Sequence, residues 1–205
     1  MSEKDVRFIN MDNASYRAAL VTGDIDGAFG GSDLIGLRDQ GAIKIIYRTA
    51  GDPRFLRHCS FIGSETFIKK YPQITQRVVT SLVKAAKWIA DQDKNPQIAF
   101  QLWTKSGVRF ADYREDWQGQ SLKVFSSPLL DPYLLSQYRT QAKQAKKFGL
   151  IKNDVSIDQW VEPRFLQQAL KDLQLENFWQ PVGEDGVVPK STASVGAAPQ
   201  VTASR

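Results

Sequence analysis

The stretch GDIDGAFGGSDL, residues Gly23 to Leu34, joins two helical patterns and decides how the N-terminal part of the chain folds. Within it, Ile25 and Phe29 are too few and too close to glycines for a helix, so they are typical of a short strand. Ser32 can cap a helix that follows. The stretch therefore predicts a helix stop, a short strand and a second helix start.

The first fifty residues alternate between strand and helix patterns. VRFINM (6–11) and AIKIIYRTA (42–50) carry the apolar alternation or the β-branched residues of strands. SYRAALVTG (15–23) and SDLIGLRDQG (32–41) have helical spacing, a serine that can cap the first turn and a terminal glycine. Strand, helix, strand, helix and strand with short connections predict an α/β layer with parallel pairing.

The remainder of the chain is mainly helical pattern. After a loop and a strand pattern in CSFIGSETF (59–67), residues 73–91 place apolar side chains at three- and four-residue spacing. Further helical patterns follow at 95–107, 131–151 and 156–173. From Gly183 to Arg205 the composition is small, polar and aperiodic, which predicts a disordered tail.

Composition describes an ordinary globular chain of 205 residues, 42% hydrophobic and 24% charged, long enough for one large or two small domains. No apolar run approaches the roughly 18–20 residues that a membrane span needs. The first five residues have mixed charge with no apolar run behind them, so the pattern predicts no secretory signal there. The net charge of +5 is scattered, with a mild cluster at 143–147, and predicts a solvated helix face rather than nucleic-acid binding.

Catalytic and metal-binding patterns are weak. The single histidine, His58, precedes the single cysteine, Cys59, but adjacency in sequence does not make a nucleophile–base geometry. One residue of each type also argues against a zinc site and an internal disulfide, so neither a metal nor a cofactor is expected. Asp24 and Asp26 form a possible carboxylate pair with no accompanying base or metal cluster. We therefore predict no catalytic residue and no enzymatic activity.

The step Gly30-Gly31-Ser32 is the strongest candidate for a binding site. It follows a predicted strand and opens a predicted helix, so its backbone N–H groups and the Ser32 hydroxyl point to where an anion can bind. Open α/β sheets also place their ligands at the carboxyl ends of strands. The alternative is a tight turn that needs glycine and nothing more, and Asp33 beside it adds an unfavourable negative charge.

Three segments in order resemble the solute-binding proteins of ABC importers of the nitrate, sulfonate and taurine group. RAALVTGDIDGAFG (17–30) resembles the segment A-L-x-x-G-x-[IV]-D-A of that family. The segment from FIGSETFIKKYPQ to NPQIAFQL (61–102) is similar to the family's next landmark, in which an aromatic residue and a proline precede a long helix. AKKFGLIKNDVSIDQWVEPRFLQQAL (145–170) resembles the family's ending.

The resemblance implies a two-lobed α/β fold, the type II periplasmic-binding-protein fold, whose members trap a small solute and pass it to a membrane permease. On that basis residues 1–50 are expected to be an α/β part of the second lobe. Residues 51–182 are expected to be the crossover and C-terminal helical part of the first lobe, followed by the tail at 183–205. Asp26 matches the aspartate of the motif, and its implied role is structural, bracing the turn between helix and strand.

The position of the motif departs from the family pattern, because it lies past the middle of the usual chain and here begins at residue 23. The chain is therefore expected to be an N-terminally truncated member with a partial fold, an incomplete cleft and exposed sheet edges.

The expected function is the solute-binding component of an ABC importer for a small anion such as an aliphatic sulfonate, taurine or nitrate. The expected partners are that solute and the ABC permease, without nucleic acid, and the implied location is the periplasm, although the start of the sequence predicts no signal peptide. The alternative is an enzyme on the same fold, similar to thiamine-pyrimidine synthase. Such an enzyme would require a cysteine-rich motif and a reactive histidine.

Overall fold

The computed structural model describes residues 5–49, 52, 55 and 60–188, and this part of the chain is helical. His58, Cys59 and residues 189–205 lie outside the described residues, so the predictions made on them are not addressed. The helices are α1 Asn13–Thr22, α2 Asp33–Asp39, α3 Glu65–Lys70, α4 Pro72–Asp91, α5 Gln97–Trp103, a 3-10 turn Thr104–Ser106, α6 Phe110–Asp116, α7 Leu122–Phe125, α8 Pro132–Lys147, α9 Ile157–Trp160 and α10 Arg164–Asp172.

Helix α1 begins and ends for local reasons. The Asp12 carboxylate accepts hydrogen bonds from the backbone N–H groups of Ala14 and Ser15, both at 2.9 Å. The cap is therefore Asp12, and the prediction that Ser15 caps this helix is wrong. Gly23 ends the helix at φ +79° and donates its N–H to the carbonyl of Ala19, which confirms the predicted glycine stop.

The segments predicted as strands do not pair with one another in the described residues. No backbone group of residues 43–46 forms a hydrogen bond within this part of the chain. Several of the apolar side chains face solvent, with Phe8 77%, Phe29 97% and Ile46 96% exposed. The backbone N–H and C=O groups of a strand form hydrogen bonds with a neighbouring strand, and the described residues contain no such neighbour. The predicted parallel α/β layer is thus not formed within them.

The predicted strand in residues 59–67 is also replaced. Residues 60–63 are irregular, and helix α3 begins after Ser64, whose hydroxyl accepts a hydrogen bond from the N–H of Phe67 at 3.2 Å. This side-chain cap turns the chain into a helix where the β-branched and aromatic pattern had indicated a strand.

The long helix α4 confirms the predicted helix at 73–91 and carries the main core. Pro72 occupies its first turn, where the missing N–H costs nothing. Its buried residue Val83, 1% exposed, belongs to a cluster with Ala169 of α10 and Trp179. Burial of these side chains is what holds α10 and the C-terminal segment on α4.

A second core joins α5, α6 and α7. Phe100 is 3% exposed and lies with its ring centroid 5.6 Å from that of Trp103 and 6.3 Å from that of Tyr113. Leu122 of α7 closes this core at 1% exposed. The ring distances lie in the range where aromatic pairs stabilise each other. This core fixes α6, which contacts α2.

Hydrogen bonds to Asp131 hold the C-terminal part of the fold at the start of α8. The buried Asp131 carboxylate accepts hydrogen bonds from the backbone N–H groups of Leu134 at 3.1 Å and Val182 at 3.0 Å. Beyond Val182, the N–H of Gly186 donates to the carbonyl of Gly183, so the described start of the predicted tail is a turn.

The predicted domain boundaries remain predictions. Among the described helices, none has both the length and the apolar character to cross a membrane.

Candidate functional site

Gly30, Gly31 and Ser32 lie directly before α2 and pack against α1. A Cβ added to Gly30 would lie 2.5 Å from Cδ1 of Leu34 and 2.7 Å from the hydroxyl oxygen of Tyr16. Such distances are shorter than van der Waals contact, so this position requires glycine for packing. At Gly31 no comparable obstacle exists, since an added Cβ would lie 3.6 Å from the Asp33 carboxylate, an ordinary van der Waals distance. The glycine requirement at Gly30 supports the tight-turn alternative for that residue.

Two of the predicted anion donors hold carboxylate oxygens of the chain itself. The N–H of Gly31 donates to Asp33 at 3.2 Å, and the Ser32 hydroxyl donates to Asp116 at 2.7 Å. Ser32 therefore does not cap α2 with its side chain. The N–H of Gly30 has no acceptor within the described part of the chain. The acceptors of the Gly31 N–H and the Ser32 hydroxyl are therefore carboxylate oxygens of the chain itself.

Each of these two carboxylates also contacts a cation. The hydroxyl of Tyr16 donates to Asp33 at 2.8 Å, and Nε of Arg17 lies 3.7 Å from the same carboxylate. Arg48 donates to Asp116 at 2.9 Å. Burial, the hydrogen bond to Asp33 and the charge of Asp33 together raise the pKa of Tyr16 to about 12. The phenol is therefore protonated at neutral pH and acts as a donor.

An ion-pair network fixes α2 on α6 beside the step. Arg38 donates to both carboxylate oxygens of Glu115, at 2.6 and 2.8 Å. Arg109 donates to Asp39 at 2.7 Å and also to Asp112, which is only 3% exposed. The hydrogen bonds from Arg38 are the main cause that lowers the pKa of Glu115, and they lower that of Asp39 together with Arg109. These guanidinium–carboxylate pairs hold α2 against α6, and we call the two helices together the platform.

This network predicts an acid-sensitive contact. The pKa of Glu115 is lowered on folding, so its stabilisation is present above the ordinary value of 4.5 and is lost as the pH falls through the lowered pKa. We expect Glu115→Gln to lower the Tm at pH 7, and this difference from wild type to shrink between pH 4.5 and pH 3. The exposed Glu176→Gln serves as control. Thermal unfolding followed by circular dichroism tests this, and a Tm difference constant from pH 7 to pH 3 would contradict it.

Cavities border several elements of the described structure. A small one of about 90 Å³ is formed by α1, α2 and the segment before α6, with Arg17, Gln40 and Arg109 among its polar lining. A larger groove of about 410 Å³ lies between α4, α8, α10 and residues 60–63. Its lining is mainly apolar, with Glu162 as its one charged residue among the described residues. We call it the apolar groove.

Other predicted residues are placed apart from this platform. Thr22 donates its hydroxyl to the Asp24 carboxylate at 2.5 Å, and the N–H of Asp24 donates to the carbonyl of Ala19, so these contacts brace the turn after α1. Asp26 is exposed and makes no hydrogen bond within the described residues, and its bracing role stays a prediction. In this part of the chain no cluster of His, Cys, Asp and Glu could hold a metal ion.

No pattern in the sequence points to Arg38, Arg48, Glu115 or Asp116 as part of this site. The acidic pair in the sequence REDW at 114–117 is visible, but no spacing connects it to Ser32, which lies 84 residues earlier. Only the fold brings these groups together.

Known proteins resemble both the sequence and the fold. The NMT1/THI5-like family model matches residues 1–97. A crystal structure described as the periplasmic sulfonate-binding protein SsuA of a sulfonate ABC transporter, from Methylobacillus flagellatus KT, is 31% identical in sequence, with a TM-score of 0.67. The match covers 90% of this chain and 56% of that chain. No curated protein matches.

The match shows that this chain is similar in overall architecture to part of a periplasmic binding protein, although the described residues are helical. The chain spans about half the length of that relative. The family match covers the motif around Gly23 and the step at Gly30 to Ser32. The resemblance predicted from the sequence is thus confirmed: the chain is similar in sequence to the NMT1/THI5-like family and in fold to a structure described as a periplasmic sulfonate-binding protein.

Proposed function

We propose that the chain is the solute-binding component of an ABC importer for a small anion such as an aliphatic sulfonate, taurine or nitrate. The observation that carries the proposal is the likeness, over 90% of the chain, to a structure described as a periplasmic sulfonate-binding protein. The proposed location is the periplasm, and the proposed partners are the solute and an ABC permease. The same description names transport, which favours binding over the alternative of a thiamine-pyrimidine-synthase-like enzyme.

We assign the anion contacts to Gly30, Gly31 and Ser32. The support is chemical: the Gly31 N–H and the Ser32 hydroxyl already hold oxygens of Asp33 and Asp116, and sulfonate oxygens are acceptors of the same kind. A solute anion would exchange with these carboxylates. This exchange lowers the affinity for the solute. The charge-assisted hydrogen bonds from Gly31 to Asp33 and from Ser32 to Asp116 must break before those to the solute form.

The isolated chain is therefore expected to bind solutes weakly. Isothermal titration calorimetry with taurine, ethanesulfonate and nitrate should give a Kd above about 1 mM, corresponding to less than about 4 kcal/mol of binding free energy. One reason is that the Ser32 hydroxyl already donates to Asp116. The other is that this chain covers 56% of the sulfonate-binding relative, so the chain tested alone lacks whatever solute contacts the rest of that relative makes. A micromolar Kd for any of these solutes would contradict this expectation.

A chimera tests the proposed function directly. Residues 5–188 would replace the matching part of the Methylobacillus flagellatus protein within one polypeptide. The folded chimera should bind an alkanesulfonate with a Kd below about 0.1 mM. Ser32→Ala should weaken binding about tenfold, since one hydrogen bond to a charged group is lost.

Ser81→Ala is the matched control, because the Ser81 hydroxyl donates to the carbonyl of Arg77 within α4, away from the step. A folded chimera that binds no anion would overturn the proposed function. Binding that Ser32→Ala leaves unchanged would overturn the assignment of the site alone.

A further inference from the structure

The excess positive charge of the chain lies at the end of α8. Cationic residues occur along the whole chain, but residues 139–152 contain one arginine and four lysines and no acidic residue. This excess of five positive charges equals the net charge of the whole chain, so cationic and acidic side chains balance over the other residues. A segment of this kind attracts anionic partners over about one Debye length, roughly 10 Å at 0.1 M salt.

Three of these lysines have no acidic partner within the described part of the chain. Lys143, Lys147 and Lys152 are exposed, and none of them forms an ion pair there, whereas Lys146 pairs with Asp154. Lys143 and Lys147 are four residues apart on α8, so they lie on one face of the helix and repel each other. An anionic surface facing them would relieve this repulsion.

Two large apolar side chains stand in solvent directly beyond α8. Phe148 is 55% exposed and Leu150 is 78% exposed. The turn that carries them is held by two hydrogen bonds, from the N–H of Gly149 to the carbonyl of Lys146 at 3.0 Å and from the N–H of Leu150 to that of Ala145 at 2.9 Å. An apolar residue after such a helix end often packs back onto the helix. Most of the Leu150 side chain remains exposed instead.

The cationic and apolar groups adjoin each other. Nζ of Lys147 lies 5.9 Å from the centroid of the Phe148 ring. We call Lys143, Lys147, Phe148, Leu150 and Lys152 together the basic tip. The helix dipole favours cations in the last turn and so accounts for Lys147, but it gives no reason for the exposed phenylalanine and leucine. Apolar side chains flanked by lysines are typical of segments that lie in the interface of a bilayer.

We propose that the basic tip binds the surface of an anionic lipid bilayer. The lysines face the lipid phosphates, and Phe148 and Leu150 enter the boundary between head groups and acyl chains. A nucleic-acid duplex would contact the lysines through its phosphates and leave both apolar side chains in water, so the bilayer fits better. Each lysine near an anionic bilayer raises the partition of the chain onto it about fivefold. This inference goes beyond the proposed function and requires no solute.

Vesicle flotation tests the proposal. The full chain is mixed, without solute, with vesicles of equal parts phosphatidylglycerol and phosphatidylcholine, and separately with vesicles of phosphatidylcholine alone. At about 50 mM salt the partition coefficient onto the anionic vesicles should be at least about tenfold higher than onto the neutral ones. At about 0.5 M salt most of this difference should disappear, because salt screens the attraction between lysines and phosphates.

One pair of variants tests where the charge acts. Lys143→Gln combined with Lys147→Gln should lower the partition coefficient onto the anionic vesicles at least about tenfold. Lys94→Gln combined with Lys105→Gln removes the same charge from two exposed lysines outside the basic tip and should leave most of the binding.

A second pair tests the apolar contacts. Phe148→Ser combined with Leu150→Ser should also lower the partition coefficient at least about tenfold, because two side chains no longer enter the bilayer. Ile98→Ser combined with Leu102→Ser is the control, since these side chains of α5 are 60% and 46% exposed. Circular dichroism establishes that each variant is folded.

Four outcomes would overturn the proposal. They are no binding to anionic vesicles, an equal loss in both lysine double variants, binding that Phe148→Ser with Leu150→Ser leaves unchanged, and displacement from the vesicles by a DNA duplex at equal phosphate concentration. Such a failure is separate from failure of the proposed function, because no solute is present in this experiment and Ser32 is not changed in it.

Discussion

Phe100→Ala is expected to lower the free energy of unfolding by about 3–5 kcal/mol. The Phe100 ring is 3% exposed and contacts the aromatic rings of Trp103, Phe110 and Tyr113, with centroids 5.6 to 6.3 Å away. Its removal deletes apolar burial and leaves a cavity that rigid rings cannot close. Equilibrium unfolding in urea measures the loss, and Leu102→Ala on the same helix, 46% exposed, is the control.

The same variant should also loosen the candidate site. Phe110 and Tyr113 belong to α6, which also carries the carboxylates of Glu115 and Asp116 that hold α2 and Ser32. If α6 loses its support, hydrogen exchange of α2 should quicken together with that of α6. A loss in unfolding free energy below about 1 kcal/mol, or unfolding of α6 without effect on α2, would contradict this coupling.

Local signals in the sequence predict the helices well. The stop of α1 follows from Gly23, whose positive φ a glycine adopts without strain, and α4 follows from the spacing of its apolar residues and from Pro72. The sequence predicts Ser15 as the cap of α1, whereas Asp12 caps it, because both residue types cap helices and only three positions separate them.

The strands could not be settled from the sequence, because strand formation depends on a distant partner. Residues 42–50 have strong strand propensity, yet residues 43–46 form no backbone hydrogen bond within the described part of the chain. Propensity describes how well a residue fits a pleated, half-buried surface, and that surface must be supplied by other segments. The exposed Ile46 shows that it is not supplied here.

The candidate site shows the same limit. The step from Gly30 to Ser32 could be located from the glycines and the following helix. Its actual acceptor, Asp116, lies 84 residues from Ser32, and Arg38 and Glu115 are 77 residues apart. Contacts of this separation leave no periodic or local signal in the sequence, so the internal carboxylates that accept hydrogen bonds from the step are visible only in the fold.

Asp131→Ala is expected to lower the free energy of unfolding by about 2–4 kcal/mol. The Asp131 carboxylate is 3% exposed and accepts from two backbone N–H groups, those of Leu134 and Val182. Alanine would leave both amides buried without this acceptor, and each such group costs about 1–3 kcal/mol. Urea unfolding measures the effect, and Asp158→Ala, at a side chain 71% exposed and paired with Arg139, should change stability by less than about 0.5 kcal/mol.

Asp131→Asn separates the two roles of this carboxylate. The amide keeps one acceptor oxygen and turns a donor toward the second N–H, so we expect a loss between those of wild type and Asp131→Ala. Equal stability of wild type and Asp131→Ala would show that Val182 is held by its apolar contacts alone.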